Sequence, residues 1–130
     1  MSKRVAYVSV DTENDGAEPS SGNMLELGVV ALDAESGAEL LAFVSPLRRR
    51  DDRPGDALTL QWLREHGMYE RLVVRTAEHP EPRSVMTQLA TRLQTLVDAG
   101  YRLVWVARPA AYDWMWLWTY WCQYGPEAPP

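Results

Sequence analysis

Val5-Ala6-Tyr7-Val8-Ser9-Val10-Asp11, continued by Thr12-Glu13, is the stretch on which the fold turns. Residues 5–11 are nearly continuous in apolar and β-branched side chains. That pattern predicts a strand in the middle of its sheet, covered on both faces. Asp11 and Glu13 close it, with one residue between them. Side chains alternate across a strand, so both carboxylates face the same side. Two such groups repel each other unless a cation sits between them, and oxygen donors of this kind suit Mg²⁺ or Mn²⁺. A D-x-E pair is also common on ordinary surfaces. Its position at the C-terminal end of a buried strand favours a site, because sites collect there in sheets with helical cover.

The chain after this strand is punctuated clearly. Residues 14–23, with Gly16, Pro19 and Gly22, read as a loop. Residues 24–33 (MLELGVVALD) read as a second strand, 34–37 as a turn, and 38–47 (AELLAFVSPL) as a third strand. So short a turn predicts an antiparallel hairpin, and the first three strands form a meander. Residues 48–55 (RRRDDRPG) are a charge run. They read as a solvated loop or, alternatively, as an arginine cluster touching substrate phosphates. A short helix is expected over 59–66, ended by Gly67, and a loop over 75–83. Ser84 is expected to cap a helix over 85–99, where Val85, Met86, Leu89, Leu93, Leu96 and Val97 recur at helical spacing. Residues 101–107 form a fourth strand. It follows a helix and so can run parallel to the first by a crossover. After a turn over 108–111, a last helix spans 112–123.

Asp113 stands at the start of that otherwise aromatic helix. An acid in a first helical turn is favoured by the macrodipole alone. A parallel fourth strand beside the first would, however, deliver this turn to the sheet edge that carries Asp11 and Glu13. Three carboxylates could then converge on one metal-binding cleft.

The bulk properties set limits. The chain has 130 residues, of which 46% are hydrophobic and 24% charged, enough for one domain with its own core. A net charge of −5 excludes binding of long nucleic acid by bulk electrostatics and favours short substrates or strand ends. Cys122 is the single cysteine, so no intramolecular disulfide forms and no zinc site is built on cysteine. Neither a signal segment nor a run long enough to span a membrane is read from the sequence, and a cytoplasmic compartment is expected.

Asp11-Thr12-Glu13-Asn14-Asp15-Gly16 resembles the first motif of the DEDD (DnaQ-like) 3′–5′ exonuclease superfamily, a D-x-E with glycine shortly after. Leu25-Glu26-Leu27-Gly28-Val29-Val30 is similar to that superfamily's second strand. Ala107-x-Pro109-x-x-Tyr112-Asp113 resembles its second motif, and residues 59–63 (TLQWL) the helix that often follows its third strand. The nearest flavour is the RNase T-like and oligoribonuclease-like exoribonucleases. The resemblance implies an α/β fold of ribonuclease H-like type: a mixed sheet with a three-stranded antiparallel meander and a parallel fourth strand, with helices on the faces. It implies hydrolysis of phosphodiester bonds at the 3′ end of RNA or single-stranded DNA by a two-metal mechanism, with two Mg²⁺ or Mn²⁺ ions. Asp11, Glu13 and Asp113 would be the catalytic and metal-binding acids. Thr12 and Asn14 would lie near the terminal nucleotide, and Tyr112 or Trp62 could stack on a base, although a packing role suits these two aromatics better.

The pattern also asks for a third motif, a His or Tyr followed by a last Asp on a final helix. After Asp113 there is no Asp and no His; His66 and His79 precede it. Residues 1–130 are therefore expected to be a single exonuclease-like domain that is incomplete at its C-terminus, with weak or no turnover alone. The aromatic last helix fits the same expectation. Trp114, Trp118 and Trp121 are read as sharing one face and Leu117, Tyr120 and Tyr124 another, with too little chain left to cover both. A catalytically incomplete ribonuclease H-like module that docks a partner through this helix is the alternative, and self-association through it is a further expectation.

Overall fold

The computed structural model describes residues 2–107 and 110–127. The elements in chain order are β1 (Arg4–Asn14), β2 (Met24–Asp33), β3 (Glu39–Pro46), α1 (Ala57–Glu65), a π-helical turn (Glu70–Val74), a 3₁₀ turn (Thr76–Glu78), α2 (Pro82–Asp98), β4 (Tyr101–Val106) and α3 (Ala110–Tyr124). The four strands make one sheet in the order β3-β2-β1-β4. β1 pairs antiparallel with β2 and parallel with β4, and β2 pairs antiparallel with β3. The predicted meander and parallel fourth strand are both present.

β1 is central, but it is covered on one face only. Ala6, Val8 and Val10 are buried, while Tyr7, Ser9 and Asp11 between them are exposed. The expectation of cover on both faces is corrected by this alternation. α2 and α3 both pack on the Val8 face. Val85, Met86, Leu89 and Leu93 of α2 and Trp116, Leu117, Tyr120 and Trp121 of α3 join Leu27, Val29, Ala31, Leu41 and Phe43 in one core. Asp11 and Glu13 thus lie on the open face.

α2 starts earlier than expected. Pro82 occupies its first turn and Glu81 precedes it without a side-chain cap bond. Proline presets the helical φ and has no N–H to leave unsatisfied there, so Ser84 falls inside the helix and is not its cap. α1 is capped by Asp56, whose side chain accepts from the Thr59 N–H at 3.0 Å. Gly67, with φ +72°, follows its C-terminus, as its position predicted. Arg108 and Pro109, which fall in the expected turn and the second-motif pattern, lie outside the described residues.

The faces of α3 differ from expectation. Trp121 is buried together with Trp116, Leu117 and Tyr120, while Trp118 keeps 45% of its surface. The helix turns its Asp113-Trp116-Leu117-Tyr120-Trp121 stripe to the sheet, which is i, i+3, i+4 geometry. The Tyr120 hydroxyl accepts from the Met24 N–H at 2.8 Å, and burial pushes its pKa up to about 12. Tyr120→Phe should leave that N–H without a partner and lower stability by about 1–3 kcal/mol in urea unfolding.

A bulge shapes the end of the β1–β2 pair. Glu13 pairs with Glu26 and Asn14 with Met24, so Leu25 has no partner opposite. The extra residue breaks the alternation. Leu25 leaves the main core and joins Leu63, Leu72 and Val73 in a second cluster beneath α1 and the π-helical turn.

Candidate active site

The parallel β1–β4 register, Arg4↔Tyr101 to Ser9↔Val106, sets both strands to end on the same side of the sheet. α3 leaves that edge, and its first turn returns to β1. There Asp113, only 5% exposed, accepts two bonds from Thr12 on one oxygen. The Thr12 N–H donates to its Oδ1 at 3.0 Å, and the Thr12 hydroxyl at 2.8 Å. Thr12 is the residue between Asp11 and Glu13. The sequence places those two on the open face, and the same alternation turns Thr12 inward to meet the helix.

The hydroxyl of Thr12 has one hydrogen, which goes to Asp113. It must therefore accept from Asn14, whose Nδ2 lies 2.8 Å away. That assignment leaves Asn14 Oδ1 buried with no partner among the described residues. Asn14 Nδ2 also reaches the Tyr112 hydroxyl at 3.5 Å. Tyr112 itself is exposed, with 36% of its surface open. Thr12, Asn14 and Tyr112, expected to meet substrate, thus form a chain that holds Asp113 in place. Thr12→Val keeps the shape and removes the hydroxyl. Were Asp113 a cation ligand, this change should weaken divalent-cation binding by about 10–100-fold, measured by titration calorimetry with Mn²⁺.

Burial raises the Asp11 pKa above the ordinary carboxylate value. Asp113 and Glu26 push it further, and a backbone bond from Thr12 opposes the shift. Glu13 is raised by burial and then by Asp11, Glu26 and Asp113, with Arg71 acting the other way. Four acids therefore feel one another at this edge. Among the described residues, however, no group of three or more His, Cys, Asp or Glu side chains is close enough to hold a metal ion. Asp113 is drawn toward Thr12, while Asp11 and Glu13 face outward.

Sequence reasoning missed two parts of this edge. Glu26, directly across from Glu13, is paired with Arg71 on the π-helical turn at 2.5 Å. Like charges opposite one another destabilise a sheet, and Arg71 offsets that. A lone acid in an apolar strand was the available signal. The second is the loop after Asn14. Asp15 is fully buried and accepts from Asn23 N at 2.6 Å, Asn23 Nδ2 at 2.8 Å and Arg49 Nε at 2.8 Å. Gly55, at φ +83°, passes so close that an added Cβ would meet the Asp15 carbonyl oxygen at 2.9 Å. The arginine run is thereby explained as structure. Arg48 pairs with Glu81, Arg49 with Asp15 and Arg50 with Asp52, while Arg53 donates to the carbonyls of Pro19 and Gly22. The run is thus a partly solvated loop, with Arg48 and Arg50 in exposed pairs and Arg49 and Arg53 tied inward. Trp62, the other aromatic offered for base stacking, stacks instead on His66 with centroids 4.0 Å apart.

Comparison with known proteins gives a structural answer only. No protein-family model matches the chain, and no curated protein matches its sequence. Solved structures do match. The nuclease domain of 3′hExo, a DEDDh family member bound to rAMP, superposes with a TM-score of 0.66 at 15% identity, over 98% of this chain and 62% of that one. Product-bound exonuclease I gives 0.62 at 12% identity, over 98% and 27%. Cell-death related nuclease 4 gives 0.56 at 16% identity, over 83% and 37%. The chain thus spans less than two thirds of each of these structures. At such identities the likeness establishes architecture alone, and this chain shares the ribonuclease H-like α/β fold of these exonuclease structures.

Proposed function

We propose that this chain carries the metal-binding edge of a 3′–5′ exonuclease acting on short or single-stranded 3′ ends, with RNA favoured over DNA. The observation that carries the reading is the locking of Asp113 to Thr12, between Asp11 and Glu13. It joins α3 to the end of β1 through both the backbone N–H and the hydroxyl of one residue. The solved structures of the same fold are exonucleases, which supports the reading.

The donor set is chemically suited to a hard divalent cation. Asp11 and Glu13 present carboxylates on one face, and both are raised in pKa, first by burial and then by neighbouring carboxylates whose repulsion a cation would relieve. Asp11 and Glu13 would hold it directly, with Asp113 contributing directly or through water. Mg²⁺ or Mn²⁺, two ions in the full mechanism, would supply Lewis acidity for phosphodiester hydrolysis when bound. The chain's own residues prepare the ground. Thr12 fixes the orientation of Asp113. Asn14 Oδ1, a buried acceptor without a partner among the described residues, suits a hydroxyl donor of a terminal nucleotide. Tyr112, exposed beside it, suits a base or sugar edge.

The absence of a three-acid group among the described residues favours one second reading, a ribonuclease H-like binding module without turnover. Calorimetry with Mn²⁺ on the wild-type chain and on Asp11→Ala, followed by incubation with a 5′-labelled single-stranded oligonucleotide, separates the two. Cation binding lost in Asp11→Ala, with stepwise shortening from the 3′ end, supports the nuclease. Cation binding without shortening supports the module. Absence of cation binding in the wild type defeats the nuclease reading.

No helix among the described residues is long and apolar enough to cross a membrane. Self-association through α3 remains a proposal, resting on the exposed Trp118.

A further inference from the structure

A site for a strand end needs positive charge near the carboxylates, because both the substrate and this protein are anionic. Of the arginines of residues 48–53, Arg49 is turned inward to the buried Asp15 and Arg53 to the carbonyls of Pro19 and Gly22, while Arg48 and Arg50 stay exposed in pairs with Glu81 and Asp52, neither of which borders Glu13. Arg71 differs in place. Its partner Glu26 is the residue directly opposite Glu13, so the guanidinium stands at the carboxylate edge. Its side chain keeps 53% of its surface. Glu26 takes NH1 at 2.5 Å and NH2 at 3.5 Å, and the remaining N–H groups meet no acceptor among the described residues. A guanidinium offers five N–H donors in a planar fork, so one edge can hold a carboxylate while another meets a phosphate.

The backbone fixes this placement. Arg71 sits in a π-helical turn, a form that is rare and often found at functional sites. The next two residues, Leu72 and Val73, are buried against the bulged Leu25. Leu25 adjoins Glu26, so the bulge that sends Leu25 downward also brings the π-helical turn against the strand beside Glu26. Arg71 is therefore held at the site by packing on both sides of the contact.

We propose that Arg71 is the phosphate-contacting residue of this edge, docked on Glu26 and presented beside Glu13 to the sugar-phosphate backbone of a bound single strand. The proposal rests on the nucleic-acid reading above. It predicts opposite effects for the two partners of the pair. Arg71→Met removes the phosphate contact, whereas Glu26→Gln releases the guanidinium and removes a repelling charge.

The test is binding of a short 5′-fluorescein-labelled single-stranded oligonucleotide, followed by anisotropy in Ca²⁺ across a series of salt concentrations. Wild-type chain is expected to bind. Arg71→Met is expected to bind about tenfold more weakly, with a salt slope smaller by about 1, as for loss of one phosphate contact. Arg71→Lys, which keeps the charge, should retain most of the slope. Glu26→Gln should bind at least as tightly as wild type. Circular dichroism and melting of each variant check that the fold is kept. If Arg71→Met and Glu26→Gln weaken binding alike, Arg71 only supports Glu26 and the proposal is overturned. An unchanged salt slope in a folded Arg71→Met chain also overturns it, and leaves the nuclease reading standing. Wild-type chain that binds no oligonucleotide overturns both together.

Discussion

Arg49→Met should destabilise the chain by about 3–5 kcal/mol, the cost of removing one partner from a buried ion pair. Asp15 is fully buried, and its pair with Arg49 at 2.8 Å is mostly shielded from water, with the arginine side chain only 18% exposed. Without the guanidinium, Asp15 keeps the two bonds from Asn23 but loses its charge partner. The damage would spread beyond the pair. The Asp15 carbonyl accepts from the Asp56 N–H at 2.7 Å, and Asp56 caps α1. Arg49 NH2 also ties to the Pro54 carbonyl at 2.8 Å. Urea unfolding measures the loss, and a melting point lower by roughly 10–20 °C should accompany it. A double substitution, Asp15→Asn with Arg49→Met, should recover part of the loss, because no unpaired charge then remains buried. A single-variant cost under about 1 kcal/mol would show that solvent reaches Asp15 and that the pair is a surface one.

Asp11→Asn should abolish divalent-cation binding, with an affinity loss of at least about 100-fold, the upper end of what loss of a supporting partner costs. The same substitution should stabilise the cation-free chain at neutral pH. The folded-state pKa of Asp11 is raised, first by burial and then by Asp113 and Glu26. The folded chain therefore holds its proton more tightly than the unfolded chain does. Stability from that proton is present at low pH and is lost as pH rises from the ordinary carboxylate value through the raised one. Glu13 acts in the same direction. Melting in a chelator should show wild type losing stability across that window and Asp11→Asn losing less. Cation affinity runs the opposite way, falling as pH drops through the same window because the carboxylates must be ionised to bind. A cation-free Asp11→Asn chain that melts below wild type at neutral pH would mean that Asp11 is satisfied by the protein itself. The metal reading would then lose its physical basis.

Much of the sheet was legible because strands announce themselves locally. β2 spans Met24–Asp33, the limits that composition and turn residues suggested. The meander followed from a turn too short for any other connection. The helix covering it was legible from its spacing, although Pro82 moved its start. The π-helical turn at Glu70–Val74 was not foreseen. Its geometry comes from packing Leu72 and Val73 against a bulged Leu25, and nothing in ERLVV specifies that by itself. The faces of α3 were assigned differently for a similar reason. A helix apolar nearly all round has no periodic signal to say which side is buried. Contact with α2 and the sheet decided for Trp116 and Trp121, leaving Trp118 exposed.

The pairing of Asp11 with Glu13 on one face was determined by sequence alone, since strand alternation is a property of the backbone and needs no partner. The sequence equally determined that Asp113 opens the last helix. Only the tertiary structure decided what Asp113 does there. One of its oxygens is held by the end of β1. Asp113 turns to Thr12, because a carboxylate that is nearly fully buried must find donors, and the Thr12 N–H and hydroxyl are beside it. The same holds for Arg49 and Arg71. Both are charges in the sequence, and the folded chain alone sends one inward to Asp15 and sets the other beside Glu26 at the carboxylate edge.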